Sequence, residues 1–202
     1  MIRHVLFDAD GVLQTRPGGW VGPLRPLLGE RSEAFLADVM GAEEAGLHGR
    51  EDFVAVLGSI MAAYGLSGAP ADLYAELWLE IGVDEAMLAL VHELRAAGLG
   101  VHLGTNQQWP RAAYMRESLG YDQLFDESFY SCELGIAKPA PGFFLAAVST
   151  IGAAAGEVLF VDDLAVNVAG AQAAGLAAEQ WTLADGLGVL RERLEGHGIL
   201  AC

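Results

Sequence analysis

The chain is poor in positive charge and has a single lysine, Lys138, beside ten arginines. Its 11 basic residues face 27 acidic ones, which gives a net charge of −16. Because so acidic a protein repels nucleic acid and anionic membrane surfaces, we expect neither as a partner. A site for an anionic ligand would need local positive charge, which a divalent cation, a lysine or a helix N-terminus can supply.

Cysteine is also rare. The two cysteines are Cys132 and Cys202, and Cys202 is the last residue. These positions argue against a disulfide framework or a zinc site, and we expect one buried thiol and one thiol in the tail.

Long apolar runs are missing as well. No stretch approaches the roughly 18 apolar residues that span a membrane. The N-terminus lacks the apolar core and the small-residue cleavage site of a signal peptide. We therefore expect a cytoplasmic protein, monomeric or homodimeric, that does not bind membranes.

Hydrophobic residues make up 53% of the chain, which is typical of a globular protein. Residues 14–26, rich in glycine and proline, predict a loop or hinge. Helices are predicted from Ser32, which would be the N-cap, from about Glu51, and from Pro70 to a stripe that ends at Ile81. No strand is predicted between residues 14 and 82, so this block is expected to be an all-helical insertion.

Strands and helices alternate from residue 85 onward, as in right-handed βαβ units. The pattern predicts an α/β protein: a Rossmann-like three-layer core with a parallel sheet, plus a small all-helical cap domain. The core would comprise residues 1–14 and 85–202, and the cap residues 15–84.

Polar residues follow three of the predicted strands. Asp8 ends the run Val5-Leu6-Phe7, Thr105-Asn106 follow the strand at 99–103, and Asp162-Asp163 follow the strand at 158–161. Because functional groups gather at the carboxyl ends of parallel strands, these residues are expected to share one site. Asp8 and Asp10 are close enough to repel each other, so a cation between them or a retained proton is needed.

Lys138 precedes Pro139, where a helix is about to begin. A compact ammonium group suits an aspartate and a phosphoryl group better than a bulky arginine fork does. The isolated lysine is therefore a candidate for the same site.

Taken together, Asp8-Ala9-Asp10-Gly11-Val12-Leu13, Thr105-Asn106, Lys138-Pro139 and Val161-Asp162-Asp163 resemble the four ordered motifs of the haloacid dehalogenase superfamily. The helical block after the first motif is similar to that family's cap. The resemblance covers nearly the whole chain and implies a phosphatase-like hydrolase.

The resemblance also implies roles for the matching residues. Asp8 would be the nucleophile that forms an aspartyl-phosphate, and Asp10 the general acid and base, with a pKa raised relative to that of Asp8. Phosphoryl oxygens would be bound by the hydroxyl of Thr105 and the backbone N–H of Asn106, together with Gly11 and Lys138. Lys138 would neutralise Asp8 and the phosphoryl group.

The implied cofactor is Mg²⁺, which prefers oxygen ligands. Its ligands would be Asp8, the backbone carbonyl of Asp10, and Asp163, with Asp162 bound directly or through water. Asn167 would steady Lys138 or the nucleophile.

The implied substrate is a small phosphate monoester, with sugar phosphates favoured. Dehalogenases of the family attack carbon and do not need the second aspartate, so Asp10 favours phosphoryl chemistry. A sugar phosphomutase stays open, although the cap region has no lysine. Two further alternatives are a receiver-type phosphoacceptor and a non-catalytic binding module. The helical insertion disfavours the first, and the intact motifs disfavour the second.

Four residues of the predicted cap are candidates for substrate binding: Trp20, Arg25, His48 and Arg50. The glycines around His48 would let that loop approach a ligand closely. His4, His92 and His102 lack metal-ligand spacing and are expected to be structural.

Overall fold

A computed structural model describes residues 1–199 of the chain, so the prediction for Cys202 lies outside the described residues. Cys132 is a buried free thiol. No helix within residues 1–199 is long and apolar enough to cross a membrane.

Five parallel strands form the central sheet in the order β5–β4–β1–β6–β7. They are β1 (His4–Phe7), β4 (Gly100–Thr105), β5 (Glu127–Tyr130), β6 (Val158–Asp162) and β7 (Ala177–Gln180). Phe7 is in register with Leu103 of β4 and with Val161 of β6. The carboxyl ends of β1, β4 and β6 therefore meet at the middle of one sheet edge.

Helices cover both faces of the sheet, as the alternation of apolar side chains along β1 requires. Val5 and Phe7 pack in one apolar cluster and Leu6 in another. The first cluster includes residues of α6 (Glu85–Ala96), α7 (Trp109–Glu117), α8 (Tyr121–Leu124) and α12 (Leu187–Gly196). The second includes residues of α10 (Pro141–Ile151) and α11 (Ala165–Ala173). The three-layer α/β prediction is confirmed.

A third apolar cluster lies among the helices between β1 and α6. These are α1 (Arg25–Leu28), α2 (Ser32–Gly41), α3 (Glu44–Leu47), α4 (Phe53–Ala63) and α5 (Pro70–Tyr74), and a π-helical turn at Ala75–Leu79 follows. At its centre, Trp78 stacks on Tyr74 and meets Phe53 edge to face.

A two-stranded antiparallel ribbon, β2 (Gln14–Thr15) with β3 (Gly82–Val83), joins these helices to the sheet domain. The expectation that no strand interrupts residues 14–82 was therefore wrong, because two-residue strands are too short to show an alternating pattern. Ile81 packs against the cluster around Phe7 and not on the Pro70 helix stripe. The domain boundary predicted between residues 14 and 15 falls inside β2 and stays a prediction.

The helix starts differ from the predicted ones in two places. Ser32 is the first residue of α2, and its hydroxyl donates to the carbonyl of Gly29 over 2.7 Å, so it is no N-cap. The helix expected from about Glu51 begins at Phe53, after Asp52 accepts hydrogen bonds from the N–H groups of Val54 and Ala55. Ser131–Leu134 forms a further short helix, α9.

Candidate active site

The three strand ends open into a cavity of about 380 Å³ between the sheet edge and the loop after β2. Asp8 follows β1, Thr105 ends β4, and Asp162 ends β6. The structure thus brings together the residues that the four motifs predicted. The cavity is lined by Asp8, Asp10, Gly11, Thr15, Arg16, Trp20, Thr105, Asn106, Lys138, Asp163, Leu164 and Asn167.

Lys138 lies under this cavity and is almost fully buried, with 1% of its side chain exposed. Its Nζ is 2.7 Å from Oδ1 of Asp8 and 2.7 Å from Oδ2 of Asp162, and it sits 5.2 Å from the centre of the Phe160 ring. Burial would lower the pKa of Lys138, but the two carboxylates outweigh it and raise that pKa. The lysine is therefore held as a cation inside the protein.

The contact with Lys138 balances the negative charge of Asp8 only in part. Burial raises the pKa of Asp8 to about 7; Lys138 opposes the rise, and the nearby Asp162 adds to it. One ammonium group is shared by two buried carboxylates, so the site has room for further positive charge beside Asp8.

The loop that carries Lys138 is clamped from two sides. The Asn106 side chain donates to the carbonyl of Lys138 and accepts from its N–H, both over 2.9 Å. Helix α11 approaches so closely that a Cβ at Gly170 would clash with the carbonyl of Pro139. The side chain of Asn106 thus has a structural task besides the phosphate contact predicted for its backbone.

Asp162 and Asp163 occupy different environments. Asp162 is fully buried and accepts from Lys138, from Nδ2 of Asn167 over 3.0 Å and from the N–H of Leu164 over 2.8 Å. Asn167 therefore steadies Lys138 indirectly, by orienting Asp162. Within residues 1–199 the Asp163 carboxylate accepts no hydrogen bond from another residue, so it is the freer of the two to bind a metal.

Gly11 is required where β1 gives way to the turn. Its φ is +81°, and a Cβ there would lie 2.6 Å from Oδ2 of Asp163. Any other residue would push Asp163 away, so the glycine lets the acidic side chain pack over the turn.

Asp10 is bound by three side chains that the sequence analysis did not single out. Arg111 donates from NH1 to Oδ2 over 2.7 Å and from NH2 to Oδ1 over 2.8 Å. Gln107 donates to Oδ2 over 2.9 Å, and Gln14 donates to Oδ1 over 3.0 Å. Gln107 also donates to Oγ1 of Thr105 over 2.8 Å, so it connects two predicted catalytic residues.

These contacts overturn one expectation. Burial would raise the pKa of Asp10, but the charge and hydrogen bonds of Arg111, with smaller contributions from Gln14 and Gln107, outweigh it, and the pKa of Asp10 is lowered. The expectation that Asp10 has the raised pKa and Asp8 the lower one was wrong. The reason is Arg111, a residue of α7 that carries no recognisable sequence signal.

The candidate substrate residues fall in different places. Trp20 lines the cavity, packs edge to face on Trp78 and lies under the Arg16 guanidinium. Arg25 is exposed on α1, 3.9 Å from Glu33, and does not line the cavity. His48 lines a second cavity and Arg50 a third.

Gly49 lines the third cavity beside Arg50, and its lack of a side chain also serves packing within the protein. Its φ is +67°, and a Cβ would clash with the carbonyl of Cys132. This glycine packs the loop after α3 against α9.

Three carboxylates could hold a cation here. One oxygen each from Asp8, Asp162 and Asp163 lies within 4.8 Å of the others. Within residues 1–199 the backbone carbonyl of Asp10 accepts no hydrogen bond, because the adjoining bonds go to the carbonyls of Ala9 and Gly11. An all-oxygen set of this kind fits Mg²⁺.

Comparisons with known proteins identify the family of the chain. Residues 2–175 match the family model of the haloacid dehalogenase-like hydrolases. The sesquiterpene phosphatase astK of Aspergillus oryzae is 32% identical over 125 residues, which are 53% of this chain and 64% of that protein, so the chain spans less than two thirds of that relative. The phosphoglycolate phosphatase of Yersinia pestis is 28% identical over 188 residues, covering 86% of this chain and 78% of that protein.

Among solved structures, an enzyme of Bacteroides thetaiotaomicron in complex with magnesium and inorganic phosphate superposes with a TM-score of 0.79. It is 19% identical in sequence, and the match covers 94% of this chain and 99% of that one. At that identity the match establishes the fold.

Proposed function

The chain belongs to the haloacid dehalogenase-like hydrolases, and on that premise we propose that it is a magnesium-dependent phosphatase acting on small phosphate monoesters through an aspartyl-phosphate on Asp8. The observation that carries this proposal is the pair of carboxylates at the end of β1. Asp8 faces the ammonium of Lys138, and Asp10 faces the guanidinium of Arg111. Two carboxylates in two environments suit a nucleophile and a proton carrier.

The relatives support phosphoryl chemistry. Two similar curated proteins are phosphatases, and the Bacteroides enzyme was crystallised with magnesium and phosphate. The presence of Asp10 also favours a phosphatase over a carbon-attacking dehalogenase.

Mg²⁺ would be held by the carboxylates of Asp8 and Asp163 and by the carbonyl of Asp10. When bound, it supplies positive charge that neutralises the phosphoryl oxygens and keeps Asp8 ionised. The fit rests on the surplus of buried carboxylates over cations beside Lys138.

In the first half-reaction a carboxylate oxygen of Asp8 forms a bond to phosphorus and the ester P–O bond breaks. The leaving oxygen takes a proton, and Asp10 is the residue placed to give it. Lys138 remains at hydrogen-bond distance from Asp8 and offsets its charge as the phosphoryl group arrives. The hydroxyl of Thr105, the N–H of Asn106 and the turn at Gly11 would bind the phosphoryl oxygens.

In the second half-reaction water attacks phosphorus, the Asp8–phosphoryl bond breaks, and phosphate leaves. The water loses its proton to Asp10, for which the carboxylate form stabilised by Arg111 is suited. The same ion pair must loosen when Asp10 carries the proton to the leaving oxygen. Arg111 therefore holds Asp10, the proton carrier, in the same position for both half-reactions.

A phosphomutase is less well supported. It would need cations that hold a phosphosugar in two orientations, yet Arg25 and Arg50 do not line the central cavity. Arg16 does, but its nitrogens donate to the carbonyls of Pro17, Gly19, Glu76 and Leu77.

The test is phosphate release from a panel that includes p-nitrophenyl phosphate, acetyl phosphate and hexose phosphates, with and without Mg²⁺. We expect Mg²⁺-dependent release from at least one simple ester and none by Asp8→Asn. If no member of the panel releases phosphate, the proposal is overturned.

A further inference from the structure

A second cavity adjoins the phosphoryl site. It measures about 620 Å³ and lies between α2–α3 and the loop 137–141. Asn106 and Lys138 line both cavities, so the two cavities adjoin at these residues. We call this space the leaving-group cavity.

The walls of the leaving-group cavity are largely apolar. One side is formed by Met40 of α2 and Leu47 of α3. The other side is formed by small and cyclic residues of the loop 137–141, namely Ala137, Pro139, Ala140 and Pro141. Such a surface gains free energy by covering hydrocarbon, and it offers few hydrogen-bonding groups to a polyhydroxylated ligand.

Apart from Lys138, whose ammonium is paired with Asp8 and Asp162, the charged groups of this cavity are acidic. Glu43 and Glu44 line it. Oε1 of Glu43 accepts from Trp78 over 3.2 Å and also from Gln108, which fixes the carboxylate in the cavity wall. His48 turns its Nδ1 to the carbonyl of Glu44, 2.8 Å away.

The two cavities offer no unengaged fixed cation within residues 1–199. Lys138 is bound to Asp8 and Asp162, and Arg16 donates to backbone carbonyls. A second anionic group on the substrate would therefore meet Glu43 and Glu44 without a compensating partner.

We propose that the alcohol part of the substrate extends from the first cavity into the leaving-group cavity. This cavity then makes the enzyme selective for phosphate monoesters of uncharged, largely hydrocarbon alcohols, and its acidic rim rejects esters that carry a carboxylate. This inference rests on the proposed function and names the substrate class of the same site. Leu47 and Met40 supply the apolar contact, and Glu44 supplies the repulsion.

The first experiment measures kcat/KM for a series of straight-chain alkyl phosphates from ethyl to hexyl. Each buried methylene should raise kcat/KM by about three- to four-fold. The kcat/KM for isohexyl phosphate should also exceed that for the similarly shaped phosphate ester of γ-hydroxybutyrate by at least about ten-fold. A flat series, or a preference for the carboxylate ester, would overturn the inference.

The second experiment changes the rim charge. Glu44 is exposed on the first turn of α3, and Glu44→Lys should lower the ratio of isohexyl to carboxylate-ester kcat/KM by about ten-fold. Glu30→Lys is the matched control, because Glu30 is also exposed on the helical block but lines neither cavity. A ratio unchanged in Glu44→Lys, or lowered equally in Glu30→Lys, contradicts the proposal.

The third experiment changes the apolar wall. Leu47→Asp should flatten the chain-length series, while Leu27→Asp, at an exposed leucine of α1, should retain it. Because these readouts are ratios, they do not depend on the fraction of active enzyme. Mg²⁺-dependent phosphate release from the panel described above separates the outcomes. If no panel member is hydrolysed, the phosphatase proposal fails; if any is hydrolysed, a flat alkyl series rejects the selectivity alone.

Discussion

Arg111 and Asp10 form a two-pronged ion pair at the mouth of the site, with both guanidinium NH groups within 2.8 Å of the carboxylate oxygens. The arginine side chain is 5% exposed, whereas that of Asp10 is 40% exposed toward the cavity. A buried cation therefore holds an accessible carboxylate in place, and Gln107 connects the same carboxylate to Thr105.

The first prediction concerns this contact. Arg111→Met should lower kcat by about 10²-fold for alkyl phosphates, because a general acid and base must be held in position. The loss should be smaller for p-nitrophenyl phosphate, whose leaving oxygen needs little protonation. Steady-state kinetics on the two esters measures the difference.

Arg95→Met is the control for that variant, because Arg95 pairs with Asp126 away from the cavity. An equal loss on both esters in Arg111→Met would mean that Arg111 supports the fold and does not act through Asp10.

The second prediction concerns Lys138. Lys138→Met leaves Asp8 and Asp162 buried without their shared cation, so the free energy of unfolding in the absence of Mg²⁺ should fall by about 3–5 kcal/mol. Adding Asp162→Asn should recover part of the loss. Urea denaturation followed by circular dichroism measures both values.

Arg191→Met provides the comparison, since its ion pair with Glu93 is exposed and should contribute at most about 1 kcal/mol. A Lys138→Met protein as stable as the parent would show that the buried cation does not balance the two carboxylates.

The sequence predicts the sheet and the strand-end residues because these depend on local patterns. Buried apolar runs mark β1, β4 and β6, and the residues directly after them must lie together in a parallel sheet. Lys138 was identifiable because it is the only lysine.

The rest of the site depends on distant pairings. Arg111 lies 101 residues from Asp10 along the chain, and it looks like any arginine in a helix. Gln14 and Gln107 are equally unmarked, so the lowered pKa of Asp10 could not be anticipated. Asp162 and Asp163 have different environments because it is Asp162 that contacts Lys138. Where β6 ends and joins α11 determines which of the two aspartates makes this contact.

The third prediction tests the metal site. Mg²⁺ at about 100 times its dissociation constant should stabilise the parent by about 2.7 kcal/mol. Asp163→Asn should lose most of that gain, whereas Asp72→Asn, at an exposed aspartate of α5, should retain it. Thermal unfolding with and without Mg²⁺ gives the comparison, and an undiminished shift in Asp163→Asn would remove Asp163 from the ligand set.

The fourth prediction concerns His102, which is 3% exposed and lies 3.1 Å from His4. Burial and the neighbouring histidine lower the pKa of His102 from 6.5 to about 4, and Asp126 opposes the shift. Between these values the unfolded chain binds a proton that the folded chain does not. Stability should therefore fall by about 2 kcal/mol from about pH 7 to about pH 5 through this group.

His102→Val should remove that part of the acid sensitivity, and His92→Gln, at an exposed position of α6, should keep it. Urea denaturation at the two pH values decides the matter. The same acid loss in His102→Val and in the parent would assign the sensitivity to other groups.

The most direct test of the account is to look for the covalent intermediate on Asp8. A rapid acid quench of Asp10→Asn with substrate and Mg²⁺, followed by peptide mass spectrometry, should find one phosphoryl group on the peptide that contains Asp8. The modification should be missing from Asp8→Asn and from samples without Mg²⁺. Phosphate release by the parent without any phosphoryl group on that peptide, or turnover by Asp8→Asn, would contradict the central claim.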